Sequence, residues 1–301
     1  MCGGDVVPRS MIGVLLSFAA VLTGVITGIL VKRVGVEINI GTTLFYRFLF
    51  SLPFLFLYGF WMRGSRLMQI NQPKILLLRT VFGCFGIVMW FMSLRVMPFG
   101  MATALFQSSV LFVTLLSPLF LGEKVGIYRW SAVVAGLTGV VIITNPFSGE
   151  ISWVALYGVG AALAGAGLAL VLRQLGKGDE PVSVACWYNM AAFLLISAAL
   201  VLMPDQLQPV SLALTIDLLW LGFVGFIMQI VITTAYRYAD AVVVASMRYL
   251  QMPMSGIVGY WLFAEVLSAS EIIGAMIIIG SCLVIAWREV VRSRQVSHPG
   301  V

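Results

Sequence analysis

The sequence predicts an all-α membrane protein in which ten transmembrane helices form two inverted five-helix repeats. Three observations predict this fold: an apolar composition, ten apolar runs and a spacing that occurs twice. Of the 301 residues, 61% are hydrophobic and only 10% are charged. Soluble domains contain about 45–50% apolar and about 25% charged residues. A chain this apolar cannot hide its surface in a water-soluble core, so lipid must be its solvent.

Ten apolar runs have the length of a membrane-spanning helix, which needs about 20 residues with a range of about 17–25. They are continuously apolar and do not alternate, so a transmembrane β-barrel is a poor fit. The predicted spans are Met11–Val31, Thr42–Trp61, Ile75–Leu94, Phe99–Leu121, Ile127–Thr144, Trp153–Leu172, Val182–Met203, Leu212–Tyr236, Ala241–Phe263 and Glu271–Trp287. The first run lacks a small-residue cleavage site, so we interpret it as a retained helix and not as a signal peptide.

A repeated spacing relates the two halves of the chain. Arg95 precedes Glu123 by 28 positions, and Arg237 precedes Glu265 by 28 positions. Five helices per half is an odd number, so the second half should lie upside down relative to the first. Inverted repeats of this kind are found in many secondary transporters.

The predicted repeats cover residues 1–145 and 146–301, and the second ends in a short cytoplasmic tail. Basic residues set their orientation, because cytoplasmic loops are enriched in Lys and Arg. With the N-terminus inside, thirteen basic residues fall on the cytoplasmic side and three on the other. The cytoplasmic set is Arg9, Arg63, Arg66, Lys74, Arg79, Lys124, Arg129, Arg173, Lys177, Arg237, Arg288, Arg292 and Arg294, and the outer set is Lys32, Arg33 and Arg95. We therefore expect a multi-pass protein of the cell inner (plasma) membrane with both termini in the cytoplasm.

Other classes of function find little support in the sequence. The net charge of +6 is accounted for by these basic loops, so nucleic acid is not an expected partner. There is no C-x-x-C pair, and the only histidine is His298 in the tail, so we expect no metal and no cofactor. Without a paired nucleophile and base or an aspartate pair in the helices, we expect no enzyme. The expected partners are a small-molecule substrate and the lipid bilayer, and ten helices can enclose a cavity in a monomer.

Several short motifs, weak individually and specific together, are spread over nearly the whole chain. They are Phe45-Tyr46-Arg47-Phe48, Leu78-Arg79-Thr80 with Gly83 and Gly86, Ala102-Thr103-Ala104-Leu105, Gly122-Glu123-Lys124, Arg248-Tyr249-Leu250-Gln251, Ala264-Glu265 and Ile273-Gly274-Ala275. With these motifs the chain resembles the ten-helix EamA-type members of the drug/metabolite transporter superfamily. It is similar to amino-acid and metabolite exporters and to S-adenosylmethionine uptake carriers, whose second and ninth helices have similar arginines. The resemblance implies a cavity between the halves that opens alternately to each side, and it leaves the substrate and the direction of transport open.

Two arginines lie inside predicted spans, Arg47 in the second and Arg248 in the ninth. An arginine at the centre of a membrane helix costs roughly 2.5–3.5 kcal/mol on insertion scales. One interpretation is that each guanidinium holds an anionic group of the substrate, such as a carboxylate, in a bidentate fork. The alternative is a structural role, in which they cap carbonyls at a broken helix or snorkel to the interface.

Polar residues near these arginines complete the candidate substrate-binding set. Tyr249 adjoins Arg248, while Gln251 follows it by three positions on the same helix face, and Gln107 lies on the fourth span. For the two glutamines, interhelical hydrogen bonding is the alternative. Pro253 and, more loosely, Pro118 interrupt these two spans, and such interruptions in corresponding parts of two halves indicate a binding site.

The remaining candidates are on three other spans. Gln229 and Thr233 share one face of the eighth span, while Trp187 and Asn189 lie on the seventh and Trp90 on the third. The tryptophans have two interpretations, the interfacial belt and a stacking surface for a planar or cationic substrate group.

Two glutamates, Glu123 and Glu265, end the fourth and ninth spans, where they serve either loop capping or proton coupling. The leading hypothesis is a secondary transporter for a small polar metabolite, amino-acid-like or carboxylate-bearing, that works by alternating access. One alternative is a carrier for S-adenosylmethionine or another nucleoside-like metabolite. A channel for small solutes is the alternative from another class, although no filter motif is visible.

Overall fold

The computed structural model describes residues 9–121, 126–144, 153–238, 244 and 247–297. Helices make up nearly all of these ranges, and no strand occurs within them. They are α1 (Arg9–Val34), α2 (Ile40–Arg63), α3 (Pro73–Val96), α4 (Phe99–Gln107), α5 (Ser109–Leu121), α6 (Ile127–Thr144), α7 (Trp153–Leu175), α8 (Pro181–Leu202), α9 (Leu212–Tyr238), α10 (Gln251–Phe263) and α11 (Ala269–Ser297). Short 3-10 turns cover Gly64–Met68 and Pro204–Gln206.

Seven segments of the described chain are long and apolar enough to cross a membrane. They are helices α1, α2, α3, α7, α8 and α9, together with the segment Phe99–Leu116 across α4 and α5. Shorter apolar stretches occur in α6 (Trp130–Thr144) and α11 (Ala269–Ile285). The all-helical, membrane-spanning class is therefore confirmed, whereas the count of ten spans and the inversion of the halves remain predictions.

Contacts between helix ends show which ends lie together. At one end, called the Lys32 end, α1, α3, α8 and α10 finish and α2, α4 and α9 begin. These contacts join Lys32 to Met97 and Glu265, Arg33 to Asp217, and Thr42 to Gln206. The neighbours α1 and α2, α3 and α4, and α8 and α9 therefore run in opposite directions, as the short connections between them require.

At the opposite end, called the Asp179 end, α2, α7 and α9 finish and α3 and α8 begin. Polar contacts again link the connections. They join Arg63 to Ser183, the backbone N–H of Asn71 to Asp179, Trp187 to Met68, and Arg237 to Glu180.

Two helical segments are interrupted at corresponding places. The break between α4 and α5 is at Ser108, 13 positions after Arg95, and the turn before α10 ends at Leu250, 13 positions after Arg237. Pro253 explains the second break, because it has no N–H and its ring clashes with the carbonyl of Tyr249 four residues earlier. That carbonyl instead accepts from the N–H of Met252.

The break in the first segment was not predicted correctly from Pro118, because it falls ten residues earlier, at Ser108. Pro118 itself lies within α5. At the break, the Ser108 hydroxyl donates to the carbonyl of Leu105 at 2.6 Å, and the N–H of Leu111 bonds to the Ser108 carbonyl. A serine side chain that competes for backbone partners in this way loosens a helix locally.

The helices pack in pairs around a common core. The most extensive contacts are between α6 and α11, α3 and α7, and α1 and α9, followed by α2 with α9. The approach of α2 to α9 depends on a small residue, since a Cβ added at Gly222 would lie 2.5 Å from the Cβ of Phe50. This close contact brings Arg47, one turn before Phe50, against α9.

Candidate substrate cavity

A cavity lies between α1, α2, α3, α4, α7, α8, α9 and the segment before α10. The space within it that the centre of a water molecule can occupy has a volume of about 150 Å³. One water needs only about 10–15 Å³ by that measure, so a small organic molecule can fit. Leu172 and Tyr236 line it near the last turns of α7 and α9, so the cavity extends towards the Asp179 end.

An ion pair ties three helices together at the Lys32 end. Lys32 Nζ lies 2.6 Å from Glu265 Oε1 and donates to the carbonyl of Met97 at 2.8 Å. The other oxygen of Glu265 accepts from the backbone N–H of Phe99 at 2.6 Å. These bonds join α1, α10 and the start of α4, and both charged side chains are largely shielded from solvent, with 11% and 17% exposed.

Three guanidinium groups line the cavity, those of Arg47, Arg79 and Arg248. Among the described residues, no Asp or Glu lines it. A buried charge normally has a counter-ion or a full set of hydrogen bonds, because its desolvation is costly. The cavity is therefore strongly cationic and suited to an anion.

Arg47 is only 3% exposed. Its Nε and Nη1 make no hydrogen bond to any residue that the structure describes. Its guanidinium carbon lies 4.6 Å from the ring centre of Phe48 and 5.9 Å from that of Phe91, and a Cβ added at Gly225 would be 3.5 Å away from it. Aromatic faces and a glycine thus hold the cation without using its donors.

Arg79 is also buried, with 2% exposed. Its assignment to a cytoplasmic loop was wrong, because it lies in the second turn of α3 and points into the helix bundle. The guanidinium carbon is 3.6 Å from the ring centre of Tyr188, and Nη2 donates to Gln229 Oε1 at 2.9 Å. Its Nε and Nη1 have no hydrogen-bond partner in the described chain.

Arg248 joins the two interrupted segments. Its guanidinium lies 5.1 Å from the ring centre of Phe106, directly before the break at Ser108. Its backbone carbonyl accepts a hydrogen bond from the Gln107 side chain. Phe106 in turn packs on Trp90, with ring centres 4.6 Å apart. The breaks therefore meet at the cavity wall.

Aromatic rings form much of the remaining wall. Six of the lining residues carry one: Phe82, Trp90, Phe91, Phe106, Tyr188 and Tyr236. Rings of this kind bind planar groups by stacking and cations through their faces.

Half of the sequence-predicted site residues line this cavity. They are Arg47, Trp90, Gln229, Arg248 and Gln251. The side chain of Gln251 lies against α1, where a Cβ added at Gly24 would be 2.9 Å from its Nε2. The structure thus brings together predicted residues from α2, α3, α9, α10 and the segment before α10.

The other five predicted residues lie outside the lining and have protein partners or buried positions. Gln107 bonds to the Arg248 carbonyl, and the Thr233 hydroxyl donates to the carbonyl of Gln229. Trp187 Nε1 donates to the Met68 carbonyl at the Asp179 end. Asn189 donates to the Ala185 carbonyl, and Tyr249 is 95% buried.

Arg79 and Tyr188 are two polar cavity residues that were absent from the predicted site. A signal for Arg79 was present, since it lies six positions beyond the Pro73 that begins α3 and so reaches a full turn into the membrane helix. Of the two glutamates discussed from sequence, Glu265 bonds at the Lys32 end, and Glu123 lies outside the described residues.

The chain is similar to several proteins of known type. The model of the EamA-like transporter family matches residues 11–145 and 152–287. A riboflavin transporter of Rhizobium johnstonii is 34% identical over 218 residues, which cover 72% of this chain and 70% of that protein. An S-adenosylmethionine uptake transporter of Rickettsia prowazekii is 27% identical over 276 residues, covering 89% and 90%.

A pseudopaline exporter, CntI of Pseudomonas aeruginosa, is 29% identical over 265 residues that cover 86% of this chain and 90% of the exporter. A protein solved by crystallography superposes with a TM-score of 0.66 over 97% of this chain and 100% of its own, at 17% identity. This last likeness shows a shared fold only.

The two family matches together span most of the chain, and the relatives named here are all transporters. The helices that can span a membrane agree with that assignment. The chain belongs to the EamA-like transporter family and is a multi-pass membrane transporter of small metabolites.

Proposed function

We propose that the protein is a secondary transporter that moves a small, carboxylate-bearing metabolite across the inner membrane by alternating access. The observation that carries this proposal is the cationic cavity: Arg47 and Arg79 are buried, and two nitrogens of each have no hydrogen-bond partner in the described chain. Breaking a buried ion pair costs about 3–5 kcal/mol, because a charge is left uncompensated. The folded protein buries these two charges without a counter-ion among the cavity residues that the structure describes, so an anionic substrate is a suitable partner for them.

A guanidinium suits this purpose because of its planar fork of donors. It binds a carboxylate through two parallel N–H···O bonds, which fixes the orientation of the anion as well as its position. Arg47 and Arg79 line the same cavity, and their partnerless nitrogens are themselves covered. A carboxylate that enters the cavity would supply the missing acceptors once the side chains turn towards it.

Alternating access is supported by the relation between the two halves. If the two halves are related as an inverted repeat, the contact between α3 and α7 corresponds to the contact between α9 and α1. Both are among the most extensive contacts between helices. It also pairs Ser108 with Leu250, the two breaks that meet at the cavity. Interrupted helices in corresponding positions of two repeats are typical of transporter binding sites.

The orientation follows from the basic residues. With Arg79 removed from the cytoplasmic set, twelve basic residues remain on that side against three on the other. Both termini then lie in the cytoplasm. The Asp179 end faces the cytoplasm, and the Lys32 end, which the Lys32–Glu265 pair closes, faces outwards.

A carrier for a nucleoside-like metabolite is the second candidate, and the six aromatic rings of the cavity favour it. Two relatives are named for riboflavin and S-adenosylmethionine, and both compounds contain a fused planar ring system. Such a ring could stack on the aromatic wall while an anionic group meets the arginines. Both candidate substrates use the aromatic rings and the arginines of the cavity, so the transport assay has to include compounds of both classes.

Counterflow into proteoliposomes tests the proposal. Vesicles preloaded with one unlabelled amino acid, organic acid or nucleoside receive the same labelled compound outside, and transient accumulation shows exchange. We expect saturable counterflow for at least one carboxylate-bearing compound, reduced by Arg47→Gln and unchanged by Arg173→Gln, which removes an exposed charge at the end of α7. Flux without saturation or counterflow would indicate the channel instead.

A further inference from the structure

The positive charge of the cavity indicates a substrate with more negative charge than a single carboxylate provides. Three guanidiniums line it, and no Asp or Glu of the described chain does. We infer that the substrate carries two negative charges at one end, as a dicarboxylate or a phosphate monoester does. This inference rests on the proposed function and specifies the substrate of the same cavity.

Arg47 and Arg79 form one cationic pair, because two aromatic rings connect them. The Arg47 guanidinium lies 4.6 Å from the ring centre of Phe48, and Phe48 packs edge-on against Tyr188 with ring centres 5.9 Å apart. Tyr188 in turn lies 3.6 Å beneath the Arg79 guanidinium. The rings cover both cations, and both arginines line the same cavity.

The aromatic contacts do not neutralise the pair. A desolvated cation–π contact is worth about 2 kcal/mol. Two buried like charges also repel each other, and the repulsion is stronger at low dielectric than in water. A monoanion would balance one of these charges and leave the other uncompensated, whereas a dianion balances both.

The donors of the pair lead to the same conclusion. Arg47 offers Nε and Nη1, and Arg79 offers Nε and Nη1 while its Nη2 is bound to Gln229. These four nitrogens without a partner outnumber the two oxygens of one carboxylate. Two carboxylates present four oxygens, and a phosphate monoester presents three terminal oxygens with nearly the same charge.

Arg248 lies apart from this pair, at the contact between the two helix breaks. Its guanidinium covers Phe106, and Phe106 packs on Trp90. The cationic pair and the aromatic wall at Trp90 therefore lie in one cavity. A doubly charged group attached to a planar ring fits both features.

Three compounds with the same ring and different charges test the inference: benzoate, phthalate and phenyl phosphate. Each is titrated into purified protein at constant ionic strength and pH 7.5, and thermal stabilisation gives the half-maximal concentration. We expect the half-maximal concentrations of the two dianions to be about tenfold lower than that of benzoate. Compensation of a second buried charge should strengthen binding by at least about tenfold. Phthalate and phenyl phosphate distinguish a dicarboxylate from a phosphate.

Single substitutions connect the effect to the pair. Arg47→Gln and Arg79→Gln should each reduce the preference for dianions to about twofold or less, because one charge then remains. Arg173→Gln should keep the full preference. Equal affinity of the wild type for benzoate, phthalate and phenyl phosphate would overturn this inference alone. Stabilisation by none of the three anions, together with no counterflow of any carboxylate, would also remove the proposed function.

Discussion

Lys32 at the end of α1 and Glu265 just beyond α10 form an ion pair with a 2.6 Å separation. The carboxylate reaches this position because Ala264 ends α10 in the left-handed conformation, at φ 52°, and turns the chain back. Such a conformation costs a residue with a Cβ roughly 1–2 kcal/mol. The ion pair and the bond from Phe99 hold the strained cap, and we expect them to close the Lys32 end of the cavity.

Glu265→Gln should open the Lys32 end more often. The substitution removes the charge and retains an oxygen for the Phe99 N–H, so the ion pair is the main loss. A charge-assisted hydrogen bond contributes about 1.5–3 kcal/mol, which predicts an increase of about tenfold or more in the open population. The test introduces a cysteine at Thr27, which lines the cavity, in a background without other cysteines. In the Glu265→Gln variant this cysteine should react faster with a membrane-impermeant thiol reagent than in its parent.

The control for this experiment is Glu271→Gln, which removes a half-buried carboxylate that accepts from the Ser268 N–H at the start of α11 and retains an oxygen for that bond. It should leave the labelling rate at the Thr27 position unchanged. Equal labelling in the Glu265→Gln variant and its parent would show that the ion pair does not close this end.

Arg47→Met should stabilise the ligand-free protein while it abolishes transport. The arginine is buried with two unpartnered nitrogens, so its replacement by an apolar side chain of similar length removes a desolvation cost. Stability gained at the expense of activity is typical of binding residues. Thermal unfolding in detergent should show a higher melting temperature, and counterflow should be lost. A lower melting temperature would indicate that Arg47 has a structural partner.

Trp90 and Trp187 should respond differently to the same substitution. Trp90 lines the cavity and packs on Phe106, whereas Trp187 bonds to the Met68 carbonyl at the Asp179 end. Trp90→Leu should raise the half-saturation concentration by about tenfold, because stacking on an aromatic ring contributes roughly 1 kcal/mol or more. Trp187→Leu should lower the melting temperature with transport within about twofold of wild type. A transport defect confined to the Trp187 variant would place the binding site elsewhere.

Gly83→Ala should impair the cavity without a change of charge. A Cβ at this position would lie 2.5 Å from Arg79 Nη1 and 2.5 Å from a ring carbon of Tyr188, so both side chains must move. We expect the half-saturation concentration to rise by about tenfold or more, equivalent to about 1.4 kcal/mol. Gly280→Ala is the matched control, because no atom lies within 4 Å of its added Cβ. Unimpaired transport by the Gly83 variant would exclude the Arg79–Tyr188 pair from substrate binding.

The helices could be predicted from sequence because the bilayer imposes a simple requirement, a continuous apolar run of sufficient length. Pro253 likewise marked a break, since its ring cannot fit a regular helix. The break at Ser108 could not be predicted in this way, because no proline follows it at the corresponding distance and a serine side chain causes it together with tertiary contacts.

The cavity was predictable only in part. Arg47 and Arg248 were identified because a guanidinium in an apolar run demands an explanation. Arg79 is the seventh residue of α3 and Arg47 the eighth of α2, so depth alone did not separate them. An arginine near a helix end can also snorkel to the interface, and only packing shows that Arg79 faces the cavity. Trp90 and Trp187 occupy similar distances from helix ends, and only packing shows that one faces the cavity and the other a loop.

Counterflow of a labelled dianion in proteoliposomes tests the central claim most directly, comparing wild type with the double variant Arg47→Gln/Arg79→Gln. A saturable exchange in wild type that is lost in the double variant, with Arg173→Gln still active, is the result that two substrate-binding guanidiniums predict. Full exchange in the double variant would contradict it.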